Sequence, residues 1–304
     1  MKYADTDINE LLLKKIQEKK KKLDKHRPMP KDTLVKILED IRLRHTYHSD
    51  AIEGNTLSLQ ETKVVLEEGV TINGKSLKDH IEAKDDAEAF DLMIELAQKK
   101  KEITQDIVQR IHETVTKGTL TDPGKYRTEN VRISGSKTTP PSYLKIIKLM
   151  DEYIKEIKTL KMNTISKAAL IHHKFVWIHP FSNGNGRVAR LLTNLHLIKE
   201  GYPPIVLKKE DRKKYYYLLK QADNGNLTPF ADFIAKEVHE SLQYYLSILI
   251  EEERLIPLKD IAEYTNHSQE YLSLRARQGK LDAVKIENIW YSSKRAIKEY
   301  IKNK

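Results

Sequence analysis

The residues of this 304-residue chain best suited to chemistry lie in one segment, His179-Pro-Phe-Ser-Asn-Gly-Asn-Gly-Arg-Val-Ala-Arg190. Gly184, Asn185 and Gly186 let backbone N–H groups converge in a tight turn, which makes an anion nest. The spacing predicts a helix over about 187–200 directly after it, and the partial positive end of that helix points the same way. Arg187 and Arg190 are three apart and share one face of it. Two guanidiniums beside a nest and a helix N-terminus suit a polyphosphate. His179 stands upstream at the same mouth, where a neutral imidazole could take the proton of an attacking hydroxyl. Nucleotidyl transfer needs these parts, because it depends on position and charge neutralisation more than on covalent chemistry.

The segment resembles the HPFxxGNGRxxR motif of the Fic family, with every fixed position matched. Ser49-Asp-Ala-Ile-Glu-Gly-Asn55 is similar to the family's inhibitory motif, (S/T)xxxE(G/N), through Ser49, Glu53 and Gly54. Tyr126–Pro141 resembles the family's flap, and Gly201–Pro204 and Asp211–Tyr216 resemble the stretch after its motif; the resemblance spans about residues 30–245. It implies a mainly α fold, a helical bundle with a short β-hairpin flap. It also implies a protein adenylyltransferase, with ATP as substrate and a Tyr, Ser or Thr hydroxyl of a protein, itself included, as acceptor.

In that reading His179 is the general base and Phe181 anchors the loop in the core. Asn183, Gly184, Asn185 and Gly186 cradle phosphates, Arg187 holds a β- or γ-phosphate and Arg190 holds the γ-phosphate. Val131, Arg132, Ile133 and Ser134 of the flap, with Tyr216 and Asp223, lie near the nucleotide, and the flap aligns the target by backbone pairing. Glu53 pairs with Arg190 at rest, so ATP binds unproductively. The family usually carries Asp or Glu where this chain has Asn183. A neutral amide offers Mg²⁺ a carbonyl oxygen without charge, which implies an ion held mainly by substrate phosphates and a weakened metal dependence. Two enzyme alternatives stay open: removal of AMP by a water that Glu53 positions, and transfer of another phosphate-linked group. An alternative of another class is a DNA-binding regulator with an inactive Fic core, against which the intact His179, Asn185, Arg187 and Arg190 speak.

Helical spacing must position these residues. Ile8, Leu11, Leu12, Ile16 and Leu23 predict a helix over 8–26, ended by Pro28 and Pro30. A second helix is expected from Asp32, as N-cap, to about His48, followed by a break over 49–55 with Gly54 as its stop. Helices follow near 58–68, 79–98 and 104–117, and later over 142–160, 164–178, 208–222 and 228–251. Between them, Val131 and Ile133 alternate with polar residues among Gly and Pro, the signature of a hairpin. His172 and His173 are adjacent on a helix and cannot face one metal, so they read as core or surface histidines.

The last fifty residues follow a different pattern, so the chain divides into 1–103, 104–250 and 251–304. Residues 258–301 resemble a small winged helix-turn-helix of the MerR or excisionase type, with a hairpin about Glu287-Asn288 and Ser292 or Ser293 capping the last helix. DNA contact would use Arg275, Arg277 and Lys280; a net charge of only +2 over 250–304 keeps protein docking or a structural role open. The formal charge of the whole chain is +10, which favours anionic partners. The run Lys19–Lys22 reads as a solvated helix face. A homo-oligomer remains open. No cysteine occurs, which favours a cytoplasmic setting. No leader or membrane-length apolar run is seen, so no membrane is expected.

Overall fold

The computed structural model describes residues 8–132, 138–286 and 289–302. The chain is mainly helical and divides into two compact units, one of residues 1–13 and 30–238, the other of 14–29 and 239–304.

Helices α1 (Glu10–Lys25), α2 (Lys31–Glu53), α3 (Leu59–Glu68), α4 (Leu77–Gln98), α5 (Gln105–Thr116), α6 (Ile146–Thr159) and α7 (Thr164–Ile178) come first. After them come α8 (Asn185–Lys199), α9 (Arg212–Asp223) and α10 (Thr228–Leu249). In the first unit α8 is the central rod, packed on α7, α4, α5 and α2. Its Val188, Leu191, Leu192 and Leu195 are fully buried, and so are its polar Arg187, Arg190, Thr193 and Asn194. A helix buried all round must satisfy its polar groups within the protein. Asn194 does so by exchanging two hydrogen bonds with the Ile205 backbone, at 3.0 and 2.8 Å.

Three boundaries differ from expectation. Helix α2 does not break at Ser49 but continues to Glu53, because Ser49, Asp50 and Ile52 are buried and packing outweighs local propensity. Gly54 then stops it at φ 106°, in the left-handed region that favours glycine. The cap of α2 is Pro30 rather than Asp32, which lies in the first turn. Helix α8 starts at Asn185, two residues early, so Gly186 is inside its first turn. In the flap, residues 131–132 and 138–142 carry no strand, and Ile133 and Ser134 lie outside the described residues.

The second unit adds β1 (Leu255–Pro257), α11 (Leu258–Ala262), α12 (Gln269–Arg277), β2 (Ala283–Ile286), β3 (Ile289–Ser293) and α13 (Lys294–Lys302). Its antiparallel sheet has the order β1-β3-β2, with Pro257 opposite Tyr291 and Ile286 opposite Ile289. The turn at Glu287-Asn288 lies outside the described residues. Ser268 caps α12 by accepting from Tyr271 N at 3.2 Å, and Ser293 accepts from Ala296 N at 3.2 Å. Leu258, Ile261, Leu272, Leu281 and Ile297 form its core, with Trp290 against them. No helix among the described residues is long and apolar enough to cross a membrane.

The Lys19–Lys22 run is not simply a solvated face. Lys19 is buried and paired with Asp282 at 2.6 Å, Lys20 pairs with Asp24, and Lys22 pairs with Glu253 at 3.0 Å. The partners of Lys19 and Lys22 come from far along the chain, which periodicity cannot reveal. Asp282 also takes His239 at 2.9 Å, and these partners together hold its carboxyl well below its ordinary range against the opposing effect of burial. Asp282→Asn leaves the Lys19 cation without its counter-charge, so it should destabilise this unit by about 3 kcal/mol. Urea unfolding followed by Trp290 fluorescence in a Trp177→Phe background measures it.

Candidate active site

Helix α7 ends at His179 in a left-handed conformation, φ 51° and ψ 59°, which is strained for a residue with a Cβ. Three contacts hold it. Its N–H bonds Phe175 O at 3.0 Å, its carbonyl accepts Arg127 Nε at 2.8 Å, and its Nδ1 is 3.1 Å from Val176 O. A carbonyl only accepts, so Nδ1 carries the proton and Nε2 keeps a lone pair. Burial pulls the imidazole below its ordinary 6.5; the Val176 bond and the Glu53 charge oppose this in part. The result is a neutral base with one nitrogen uncommitted to Val176.

The loop after His179 is shaped from both sides. Phe181 is fully buried and stacks on His112, with ring centres 3.6 Å apart and planes 3° from parallel. Asn185 accepts from Phe181 N at 3.0 Å and donates to Phe181 O at 2.9 Å, closing the turn with one amide. His112 accepts from Gly124 N at 2.9 Å on Nδ1, so its Nε2–H donates to Asn183 O at 3.1 Å. Burial lowers its pKa to about 4 and keeps that pattern stable near neutrality. Arg127 N donates to Pro180 O at 2.9 Å, and its guanidinium donates to the carbonyls of His179, Glu129 and Pro141, tying the base of the flap to the loop. Sequence reasoning missed Arg127 and His112. Arg127 stands within the flap stretch, but His112 had no signal beyond being a polar residue on the apolar face of α5.

At the start of α8, Arg190 reaches α2. Its Nε donates to Ser49 Oγ at 2.9 Å, and its Nη2 donates to Ser49 O at 3.0 Å and Glu53 Oε1 at 2.8 Å. The same carboxylate lies over Gly186: a Cβ there would be 2.1 Å from Glu53 Oε1, so a side chain at this position would displace the carboxylate from where it lies. Glu53 thus occupies the helix N-terminus where an anion is stabilised by N–H groups and the macrodipole. Arg187 is 1% exposed; Asp50 and Glu82 lie 3.7 and 3.6 Å from it.

The remaining expected residues are spread wider. Asn183 is exposed, and its Oδ1 already accepts from Gly184 N at 2.6 Å. Asp223 is bonded to His173 Nε2 at 2.8 Å and to Thr138 Oγ1 at 2.6 Å, which joins α9 to the flap. The Tyr216 ring has the Arg212 guanidinium 5.0 Å from its centre, and Arg212 Nε donates to Ile52 O at 2.7 Å. Burial, then the Glu53 charge, raises the Tyr216 pKa. Arg132 is exposed and Val131 half-buried. His172 is a core histidine between Thr193 and Tyr215, at 3.0 and 2.8 Å.

The site thus sets a half-buried neutral histidine beside two buried guanidiniums at the N-terminal end of one helix. The model of the Fic/DOC family matches residues 102–197, and the chain belongs to that family. It is similar to the protein adenylyltransferase fic-1 of Caenorhabditis briggsae, 36% identical over 220 residues, which is 71% of this chain and 43% of that protein. Its structure is similar to Fic-1 from C. elegans, with a TM-score of 0.70 and 31% identity over 78% of this chain and 72% of that one. A Fic domain containing signaling protein from Bacteroides thetaiotaomicron has a TM-score of 0.70 and 28% identity, covering 78% of this chain and 96% of that one. The chain spans about half the length of the curated relatives it matches.

Behind the two arginines lie the fully buried carboxyls of Asp50 and Asp86. Burial is the main cause that pushes the Asp86 pKa up from its ordinary 3.8 to about 7, against the pull of Arg187 and Arg190. Asp50 is raised by burial and by Asp86, with Arg187 opposing. The folded state therefore binds protons that the unfolded chain releases near its ordinary carboxyl pKa. Stability should be highest below that value and fall as pH rises from about 4 to about 7. Asp86→Asn should flatten the fall, as measured by chemical denaturation across that range.

Proposed function

We propose that the chain is a protein adenylyltransferase that moves AMP from ATP onto a protein hydroxyl, held at rest by Glu53. The supporting observation is the Glu53 carboxylate, bonded to Arg190 at 2.8 Å and lying against Gly186 at the N-terminus of α8. It stands where an anionic phosphate would be held.

With ATP in place, the hydroxyl oxygen of the target attacks the α-phosphorus. The bond from that phosphorus to the bridging oxygen breaks, and pyrophosphate leaves with the electron pair. The hydroxyl proton passes to His179 Nε2, whose Nδ1–H stays on Val176 O. The backbone of 184–186 and the guanidiniums of Arg187 and Arg190 neutralise the phosphates without reorganising, because packing already fixes them. The lowered His179 pKa keeps the base neutral.

Asn183 fits Mg²⁺ as an auxiliary ligand only. Its Oδ1 is neutral and shares its lone pairs with Gly184 N–H, so substrate phosphates and water would supply the rest of the shell. When bound, the ion would neutralise phosphate charge.

We read the second unit as a winged helix-turn-helix module; its helix–turn–helix, hairpin and final helix support this. The Arg275 guanidinium lies 4.8 Å from the centre of the Tyr271 ring, and Arg277 Nε is 3.4 Å from Ser273 O. Both arginines are engaged within their own helix, which favours protein docking over DNA contact.

Incubation with α-labelled ATP tests the function. Glu53→Gly should label itself or a target roughly 10- to 100-fold faster than wild type, equivalent to losing a pair that contributes about 1.4–2.8 kcal/mol to the closed state. His179→Ala in the same background should lose about 10²–10⁴-fold while still binding ATP. No acceleration by Glu53→Gly, but loss of AMP release from a premodified protein, would reverse the assignment to AMP removal.

A magnesium titration tests the metal reading. Asn183→Asp should reach half-maximal rate at lower Mg²⁺ than the parent protein, since a carboxylate replaces an amide. Superimposed titrations would place Asn183 away from the ion.

A further inference from the structure

Helix α2 carries the inhibitory Glu53, yet its neighbouring contacts act on the other arginine. The Arg187 guanidinium is buried, and among the described residues its Nε and Nη1 have no hydrogen-bond acceptor. What faces it are two carboxyl groups: Asp50 Oδ1 from α2 at 3.7 Å and Glu82 Oε1 from α4 at 3.6 Å. In a dry interior ion pairs at this range are felt strongly. The other Glu82 oxygen accepts from Asn55 Nδ2 at 3.3 Å, and the same amide donates to Asp79 O at 3.0 Å. Asn55 N in turn donates to Asp50 O at 3.0 Å. Asp50, Asn55 and Glu82 therefore form a frame closed by the Gly54 turn. The last residue of the inhibitory motif, Asn55, is part of it.

One turn thus serves two arginines with opposite effects. Glu53 leaves it to cover Arg190 and Gly186, while Asp50 and Glu82 face Arg187. We propose that Glu82, with Asp50, is a positioning residue for phosphate binding: the two carboxyl groups aim Arg187 at the ligand, so α2 completes the site that its Glu53 blocks. This rests on the reading of Arg187 as a phosphate ligand. Inhibition then resides in one side chain, and removing all of α2 would disable the enzyme rather than activate it.

Nucleotide binding by the full-length Glu53→Gly protein provides the test, read by calorimetry with ATP and with AMP. Glu82→Gln in that background should weaken ATP about tenfold, the scale of one charge-assisted contact, and leave AMP, which lacks the β- and γ-phosphates, within about twofold. Glu82→Asp should recover part of the loss. Asp50→Leu gives an independent arm. Both oxygens of Asp50 lack a hydrogen-bond partner, so this change should hold or raise the melting temperature while weakening ATP. A merely structural role would weaken both nucleotides together and lower the melting temperature. Unchanged ATP affinity in Glu82→Gln and Asp50→Leu, with both proteins folded, would overturn the proposal. Binding is read separately from transfer. A Glu53→Gly protein that binds ATP normally but transfers no AMP would count against the proposed reaction and leave this inference standing on its own arms.

Discussion

Burying two guanidiniums at the N-terminal end of one helix is the constraint to which the first unit answers. Arg187 and Arg190 are 1% and 2% exposed, and removing such cations from water is unfavourable by several kcal/mol each unless opposite charge is close. Part of that charge comes from outside the helix, Glu53 from α2 and Glu82 from α4, with the carboxyls of Asp50 and Asp86 packed beside them. The acids crowd each other in turn, and their mutual repulsion adds to burial in raising Asp50 and Asp86. A phosphate arriving at this mouth would meet a field already built, and it must compete with Glu53 for Arg190.

The base and the nest are held by a different kind of force. His179 adopts its left-handed geometry because its carbonyl is fixed by Arg127 and its ring by Val176. The turn after it is closed by the Asn185 amide and floored by the Phe181–His112 stack. All are uncharged acceptors or neutral rings, except for the Arg127 guanidinium. This makes the loop insensitive to the charge changes that nucleotide binding brings, while the Arg190 pair is sensitive to them. A rigid loop beside a single displaceable carboxylate is the arrangement that the proposed control by one side chain would need.

The second unit shows how far a charge run can mislead. Lys19 to Lys22 look like a hydrated stripe, yet Lys19 and Lys22 meet Asp282 and Glu253, over 200 residues away in sequence. Arg295 also bonds Glu253 at 2.5 Å, so this small core is fastened by ion pairs as well as by its apolar cluster.

Much of the site was legible because its chemistry is contiguous. The twelve residues from His179 to Arg190 carry base, nest and cations together, and a helix start after glycines needs no tertiary help to be recognised. Helical periodicity likewise located α3 to α7 within a few residues, since amphipathic faces are local. The sequence also marked Gly54 as a stop signal, but after a break that followed a helix ending near His48; in the fold it caps α2 directly at φ 106°. Tertiary structure alone decided that α2 runs on through Ser49, because burial against α8 outweighs the local signal for a break. It also decided which carboxylate meets which arginine. Glu53, Asp50 and Glu82 are ordinary acids in the sequence; their roles follow from helix packing that brings chain positions more than a hundred residues apart within 4 Å. His112 belongs to the same category: its two ring nitrogens have meaning only once Gly124 and Asn183 are beside them.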